Sequence, residues 1–242
     1  EESKSQPAGM VMKKEITNKR PVRSYVIRSG RITNSQLQAI EDYWEVNVVA
    51  YTGALLNLEY IFKNNLPVTL EIGFGMGASL IEMAEKDKGC NFLGVEVYKP
   101  GVGKTLHDAN LLEIKNLKLM CHDAQEVFQH SLEDNSIDRV LIFFPDPWPK
   151  KRHRKRRLVQ TEFMKLIARK IKANGSLHLA TDWKEYAEYM MEVIEPLPEF
   201  RNAIAPNRFW EKSTRPKTKF ENRGRKLGHG VWDLLYKKNA FN

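Results

Sequence analysis

The chain has 242 residues, 42% of them hydrophobic, with 39 Lys/Arg against 30 Asp/Glu for a formal net charge of +9. That length and apolar content exclude a disordered tail and allow one domain with a self-sufficient core. Two cysteines, Cys90 and Cys121, exclude a disulfide scaffold or a four-thiolate zinc site and fit a reducing compartment.

In chain order, residues 1–30 read as a flexible basic arm and residues 31–242 as a single domain without internal repeats. The start of the chain lacks the apolar core of a signal peptide, and no apolar run reaches the roughly 18 residues of a membrane span, so a soluble, cytoplasmic protein is expected. Ser35 is placed to cap a helix from about Gln36, with Leu37, Ile40, Tyr43 and Trp44 on one face. Short apolar runs then alternate with helix-like stretches. Strands are predicted at 68–72, 91–97, 117–121, 137–144, 176–181 and 231–237. Helices are predicted at 77–86, 102–114, 124–130, 156–173 and 186–194, the last broken by Pro196 and Pro198. This alternation predicts an α/β fold: a mostly parallel sheet, helices on both faces and right-handed crossovers.

The charge is segregated along this pattern. Residues 13–31 carry +6, residues 150–157 carry +7 and residues 208–238 carry +7, which leaves −11 on the remainder. Solubility does not require an acidic body with three basic segments, whereas binding a polyanion would use one.

The first predicted strand runs into Gly73-Phe74-Gly75-Met76-Gly77. Glycines at alternate positions let backbone approach a ligand closely. Their spacing is not the dinucleotide fingerprint, and no Gly-Lys-Ser/Thr follows, so neither a dinucleotide site nor a P-loop is expected. Glu71, just before the turn, would repel a pyrophosphate but suit a cation. Glu96 ends the second strand, where a carboxylate can accept both hydroxyls of a ribose. Asp123 ends the third, where it can accept from an adenine amino group. Together the three describe a pocket for ribose and adenine attached to something positive. Each alone could equally be a helix cap.

The fourth strand leads into Pro145-Asp146-Pro147-Trp148-Pro149-Lys150. The flanking prolines restrict the backbone at Asp146 and so preorganise a short carboxylate at the sheet edge, beside an aromatic ring. The basic run from Lys150 to Arg157 follows at once, placed to hold a phosphate backbone with a base near Trp148 and Asp146. The fifth strand ends in Thr181-Asp182-Trp183, a further acid and ring at the same end.

The turn from Glu71 to Gly77, the Gly94-Val95-Glu96 strand end, the Phe144 to Lys150 run, Thr181-Asp182-Trp183, Thr218-Lys219-Phe220-Glu221 and the Gly228 to Asp233 run closely resemble the bacterial tRNA (guanine-N7-)-methyltransferase family. The likeness covers roughly residues 25–238. It implies a Rossmann-like class I methyltransferase fold on a seven-stranded sheet, and formation of 7-methylguanosine at position 46 in the tRNA variable loop. S-adenosylmethionine would be the cofactor and S-adenosylhomocysteine its product. Carried over residue by residue, Glu71, Gly73, Gly75, Gly77, Glu96, Asp123 and Asp146 would contact the cofactor, with Asp146 the family's proposed catalytic residue. Lys150, Asp182, Thr218, Lys219, Phe220 and Glu221 would contact the substrate guanosine, and Lys150, Lys151, Arg152, His153, Arg154 and Lys155 the RNA. The chain departs from the family's usual pattern at Pro149, commonly His, while Asp146 and Lys150 stand in place.

The six histidines share no metal-ligand spacing, and no metal is expected. No obligate protein partner is evident, and a monomer or homodimer is expected. A methyltransferase for a small molecule would leave the basic segments idle. A non-catalytic RNA-binding module would leave the acids at the strand ends idle.

Overall fold

The computed structural model describes residues 23–25, 30–217, 221 and 230–240. Five strands run parallel: β1 (Val68–Ile72), β2 (Asn91–Val95), β3 (Leu117–Met120), β4 (Ile137–Phe143) and β5 (Ile171–Thr181). Two more, β6 (Phe200–Asn202) and β7 (Trp232–Lys238), close one edge in antiparallel fashion. The order across this seven-stranded sheet is β3-β2-β1-β4-β5-β7-β6. The chain therefore winds outward in one direction from β1 to β3, then returns to β4 on the other side of β1. A crevice opens where the winding reverses, at the carboxyl ends of β1 and β4.

Strand residues alternate between two apolar layers. Leu70, Leu93, Val140 and Leu179 pack into one layer with α5 (Ala124–His130), α6 (Thr161–Lys170) and α7 (Lys184–Ile194). Phe92, Leu117 and Leu119 pack into the other with α1 (Asn34–Asn47), α3 (Ala78–Lys86) and α4 (Lys99–Leu111). Fully buried side chains such as Met164 and Ile167 each stabilise the fold by about 1.5–3 kcal/mol. A short helix, α2 (Leu58–Phe62), precedes β1.

The expected strands and main helices are present, with several boundaries corrected. Thr33, not Ser35, caps α1: its hydroxyl accepts from Gln36 N at 3.3 Å while Gln36 Oε1 accepts from Thr33 N at 2.8 Å, a capping box. Leu37 is 44% exposed, and the buried positions of α1 are Gln36 and Ala39. Helix α4 starts three residues early, with Pro100 in its first turn, and is closed by Glu113 at φ 51°. The apolar pattern predicts α6 over 156–173. Residues 151–156 instead form a 3₁₀ turn, and Ile171 already belongs to β5. Strand β6 and helix α2 are not foreseen by periodicity, being three and five residues long.

Helix α4 lies directly against the glycine turn: a Cβ on Gly101 would stand 2.0 Å from the carbonyl oxygen of Gly75. Gly101→Ala would gain about 1 kcal/mol of helix propensity but must displace backbone, and such overpacking costs roughly 1–3 kcal/mol. The variant should melt below the parent in a thermal scan. A higher melting temperature would mean that α4 does not press on the turn.

Candidate active site

Strands β1 and β4 pair Ile72 with Ile142, so both end at one level. Beyond β1 the chain turns through Gly73, Gly75 and Gly77, all at positive φ (74°, 57° and 80°). Gly77 is the N-cap of α3, and a Cβ there would stand 2.1 Å from Thr105 Oγ1. Around Gly73 and Gly75 the space is open, with no heavy atom within 4 Å of an ideal Cβ. The turn thus packs tightly on its helix side and leaves room over the strand tip.

Glu96, at the tip of β2, ties this turn to the sheet. Its Oε2 accepts from Gly75 N at 2.8 Å, and its Oε1 from Val97 N at 2.7 Å and Tyr98 N at 2.9 Å. Glu71 lies deeper in β1, 3% exposed, and its Oε2 has no hydrogen-bond partner. Burial, and secondarily the nearby Glu96, push the Glu71 carboxyl up to about 8. Asp123 plays the capping role that its position also allows: it is the N-cap of α5, accepting from Gln125 N at 2.8 Å.

A cavity of about 220 Å³ opens between these tips, lined by Gly73, Glu96, Asp123, Phe143, Pro145 and Asp146. Four strand ends thus converge on one space. Ser24 and Tyr25 also line it, and burial, with the charge of Asp123 nearby, raises the Tyr25 phenol above its usual range. The sequence pattern assigns this stretch to the arm; an aromatic residue within a basic segment is the signal that marks it.

The stretch from Phe144 to Pro149 is strained at two non-glycine residues, Phe144 (φ 53°) and Trp148 (φ 43°). Phe144 N donates to Ala180 O at 2.7 Å, and Arg157 Nε donates to Pro147 O at 2.9 Å, holding both ends of the turn. Trp148 donates from Nε1 to Ser24 O at 3.1 Å and carries the Arg156 guanidinium over its ring at 5.1 Å. Asp146 is exposed at the cavity rim.

The basic run divides by burial. Lys150, Lys151, Arg152, Arg154 and Lys155 are exposed and His153 half-buried. Arg157, which ends the run expected to hold phosphates, is 2% exposed and stacked on Tyr186 and Tyr189 at 4.8 and 4.5 Å. It is a structural cation, not an RNA contact.

Asp182 lies two residues beyond Ala180, which pairs with Phe143, so it belongs to the same edge as Asp146. Glu221 is 2% exposed and ion-paired to Arg215 at 2.6 Å, an interior position rather than a surface contact. Thr218, Lys219 and Phe220 lie outside the described residues. Among the described residues no group of three or more His, Cys, Asp or Glu is arranged to hold a metal ion. No described helix is long and apolar enough to cross a membrane.

An open glycine turn, an unpartnered buried carboxylate beneath it and two further acids at adjacent strand tips fit a nucleoside with a positive charge. The fold with this edge is that of the class I S-adenosylmethionine-dependent methyltransferases. The solved 16S rRNA methyltransferase KamB is similar, with 12% identity, a TM-score of 0.55, and coverage of 77% of this chain and 95% of that one. A family model described as a putative methyltransferase matches residues 65–234. A tRNA (guanine-N(7)-)-methyltransferase from Shewanella putrefaciens is 50% identical over 222 residues, 91% of this chain and 93% of that protein. One from Serratia proteamaculans is 49% identical over 220 residues, 90% and 92% of the two chains. The chain belongs to the tRNA (guanine-N(7)-)-methyltransferase family.

The raised Glu71 carboxyl makes stability depend on pH. Between its ordinary value near 4.5 and about 8, the folded protein keeps a proton that the unfolded chain has released, so stability falls as pH rises through that window. Without ligand, the melting temperature of the parent should fall between pH 5 and 8 more steeply than that of Glu71→Gln. Parallel slopes would show that Glu71 titrates normally.

Proposed function

We infer that this enzyme transfers a methyl group from S-adenosylmethionine to N7 of guanine in tRNA, at position 46 of the variable loop. The family assignment supports the reaction. The observation that carries the site is the convergence of Glu96, Asp123 and Asp146 on one cavity whose rim continues directly into an exposed basic turn. When bound, S-adenosylmethionine supplies an electrophilic methyl on a sulfonium, and guanine N7, with a lone pair and no proton, attacks it without a general base.

The protein therefore has to position two partners and accommodate a cation that moves from sulfur to purine. Glu96 and Asp123 would hold the ribose and adenine, and Gly73, Gly75 and Gly77 would let backbone approach them. Glu71, buried beneath and protonated in the free protein near neutral pH, would favour the positive centre by giving up that proton when the cation binds. Asp146, with Asp182 on the neighbouring strand, would accept from the guanine N1–H and amino group, and their charge would favour the methylated purine cation. Lys150, Thr218, Lys219 and Phe220 complete the guanosine contacts in this reading, while Glu221 contributes from its buried position. Lys151, Arg152, His153, Arg154 and Lys155 would take the RNA backbone, with residues 1–30 as an additional basic arm on the 31–242 domain. A tRNA substrate places the enzyme in the cytoplasm.

Incubating the protein with labelled S-adenosylmethionine and unmodified bulk tRNA, then mapping 7-methylguanosine, tests this reading; label confined to small molecules would overturn it. Asp146→Ala should lower kcat by roughly 10²–10³ at saturating cofactor and tRNA, and the parent rate in that variant would remove Asp146 from the reaction. Neutralising Arg152 and Arg154 should weaken tRNA binding and lower its salt slope by about one for each phosphate that the variant no longer neutralises. Arg157→Gln should instead lower the melting temperature and leave the slope alone. A salt series on the three proteins checks the split.

A further inference from the structure

Helices α1, α3 and α4 cover β2 and β3 on one face of the sheet. Over β4, β5 and β7 the same face is flanked by the stretch from Trp210 to Lys217, held to β7 by Trp210 N donating to Asp233 O at 2.7 Å. Between this stretch and α3 lies a second cavity, of about 720 Å³. Among the described residues, its lining shares only Phe143 with the cavity at the strand tips.

Strand register lays three rows across the floor of this second cavity. Arg139, Ser176 and Lys237 lie side by side on β4, β5 and β7. Leu141, His178 and Leu235 form the next row, and Phe143, Ala180 and Asp233 the last. Successive rows are two residues apart, so all of them face the same side. The first row is cationic. Arg139 is half-buried, donates from Nε to Thr69 Oγ1 at 3.1 Å, and has no ion pair among the described residues. Lys237 is also half-buried, with Nζ 3.5 Å from Asn174 O, and likewise has no acid partner there. The acids on the wall are engaged elsewhere: Glu82 pairs with Lys86 at 2.5 Å, and Asp87 accepts from Gly89 N at 3.1 Å. The middle row is polar but uncharged, since burial pushes the His178 imidazole below its ordinary value. Its Nε2 lies 2.7 Å from Asp233 Oδ1. The last row is aromatic, and the ring centroids of Phe143 and Trp210 stand 4.9 and 5.1 Å from that of His178. The buried cation at this end, Arg215, is offset by Asp233 and Glu221.

We propose that this second cavity binds a single nucleotide, with its phosphate at the Arg139–Lys237 row and its base against Phe143 and Trp210. Its volume falls within the range of small-ligand sites, roughly 300–1,000 Å³. From Arg139 to Phe143 the floor rises four residues along a parallel strand, roughly 13 Å, which suits a phosphate, a ribose and a base in line. A guanidinium anchored through Nε keeps its terminal nitrogens for phosphate oxygens, in the paired geometry that arginine favours. The Ser176 hydroxyl adds a donor beside it, and ribose hydroxyls have His178 as a neighbour in the middle row. A base stacks on aromatic rings whatever its identity, because every base has a π-face. A simple anion would use the first row alone, and a fatty carboxylate would leave the polar middle row unpaired. The site stands apart from the methyl-transfer reading, since different residues line the two cavities.

Calorimetric titration of adenosine 5′-monophosphate into the full chain tests the site, with S-adenosylhomocysteine saturating so that the strand-tip cavity is filled. One site should appear. Adenosine, which lacks the phosphate, should bind about tenfold more weakly, the loss expected for a charge-assisted contact. Lys237→Gln and Arg139→Gln should each raise the Kd for the nucleotide about tenfold. Trp210→Ala should do the same through lost stacking, again by about tenfold. Asp123→Ala, at the strand-tip cavity, should leave the Kd unchanged. Unmodified tRNA then distinguishes the source: displacement of the probe makes the occupant a nucleotide of the RNA, and retention makes it a free nucleotide. No saturable binding at millimolar nucleotide, or adenosine binding as tightly, would overturn the proposal. So would a Kd that Lys237→Gln and Trp210→Ala both leave alone, or one that moves with Asp123→Ala instead. Should Arg139→Gln not fold, having lost its bond to Thr69, Lys237→Gln decides.

Discussion

Three backbone N–H groups, those of Gly75, Val97 and Tyr98, converge on the carboxylate of Glu96. Two of them belong to the chain leaving β2 and one to the turn leaving β1, so a single side chain sets the relative position of two strand exits. The edge of the sheet above β1 and β2 depends on this constraint. With the glycine turn pinned, α3 starts at Gly77, α4 can press Gly101 against the Gly75 carbonyl, and the open space over Gly73 is fixed. The Glu96 carboxylate lies near Glu71 and adds to the burial that pushes the Glu71 carboxyl up. Glu71, buried and without a partner on Oε2, then carries the electrostatic cost of the arrangement. A cationic ligand is the natural relief for that pair.

Charge in this chain does different work according to burial. The exposed part of the basic turn, Lys150 to Lys155, offers sequence-independent attraction to phosphates, weakened by salt. Two arginines with the same formal charge are interior parts. Arg157 lies over the rings of Tyr186 and Tyr189 and donates to the Pro147 carbonyl, supporting the Asp146 turn. Arg215 bridges Asp233 and Glu221 over Phe143 and Phe144 and braces the same turn from the side of the C-terminal segment. The strained backbone at Phe144 and Trp148 persists because neighbours on both sides hold it.

Much of the sheet is legible in the sequence because parallel strands buried on both faces are short and rich in apolar residues, most continuously from Val140 to Phe143 in β4. Boundaries are less so. The apolar pattern of α6 continues through Ile171, yet the chain changes to strand there, with Asn174 left-handed at φ 62°. Periodicity does not register such a change when one apolar residue serves both patterns. The acids at the strand tips are legible as a set, since position along an α/β chain places them at one edge. Their partners are not. Whether Asp123 caps a helix or meets a ligand, and whether Arg157 or Arg215 faces water, depends on packing between segments far apart in sequence. The signal for Arg215 is present but divided, half in the segment before Thr218 and half in Trp232-Asp233 at the start of β7.

The Tyr25 contact links the two halves of the site. Its ring lines the same recess as Asp123, whose charge acts on the phenol, while the carbonyl of the preceding Ser24 accepts from Trp148, which stacks with Arg156. One short stretch of chain thus touches both the acid expected to read adenine and the aromatic ring beside the basic turn. A ligand at Asp123 must fit beside the Tyr25 ring or displace it. Displacement would also disturb the Ser24–Trp148 bond and hence the ring that flanks Asp146. Occupancy of the cavity at Asp123 and the geometry of the turn around Asp146 are linked through residues whose sequence shows only a basic stretch with one tyrosine.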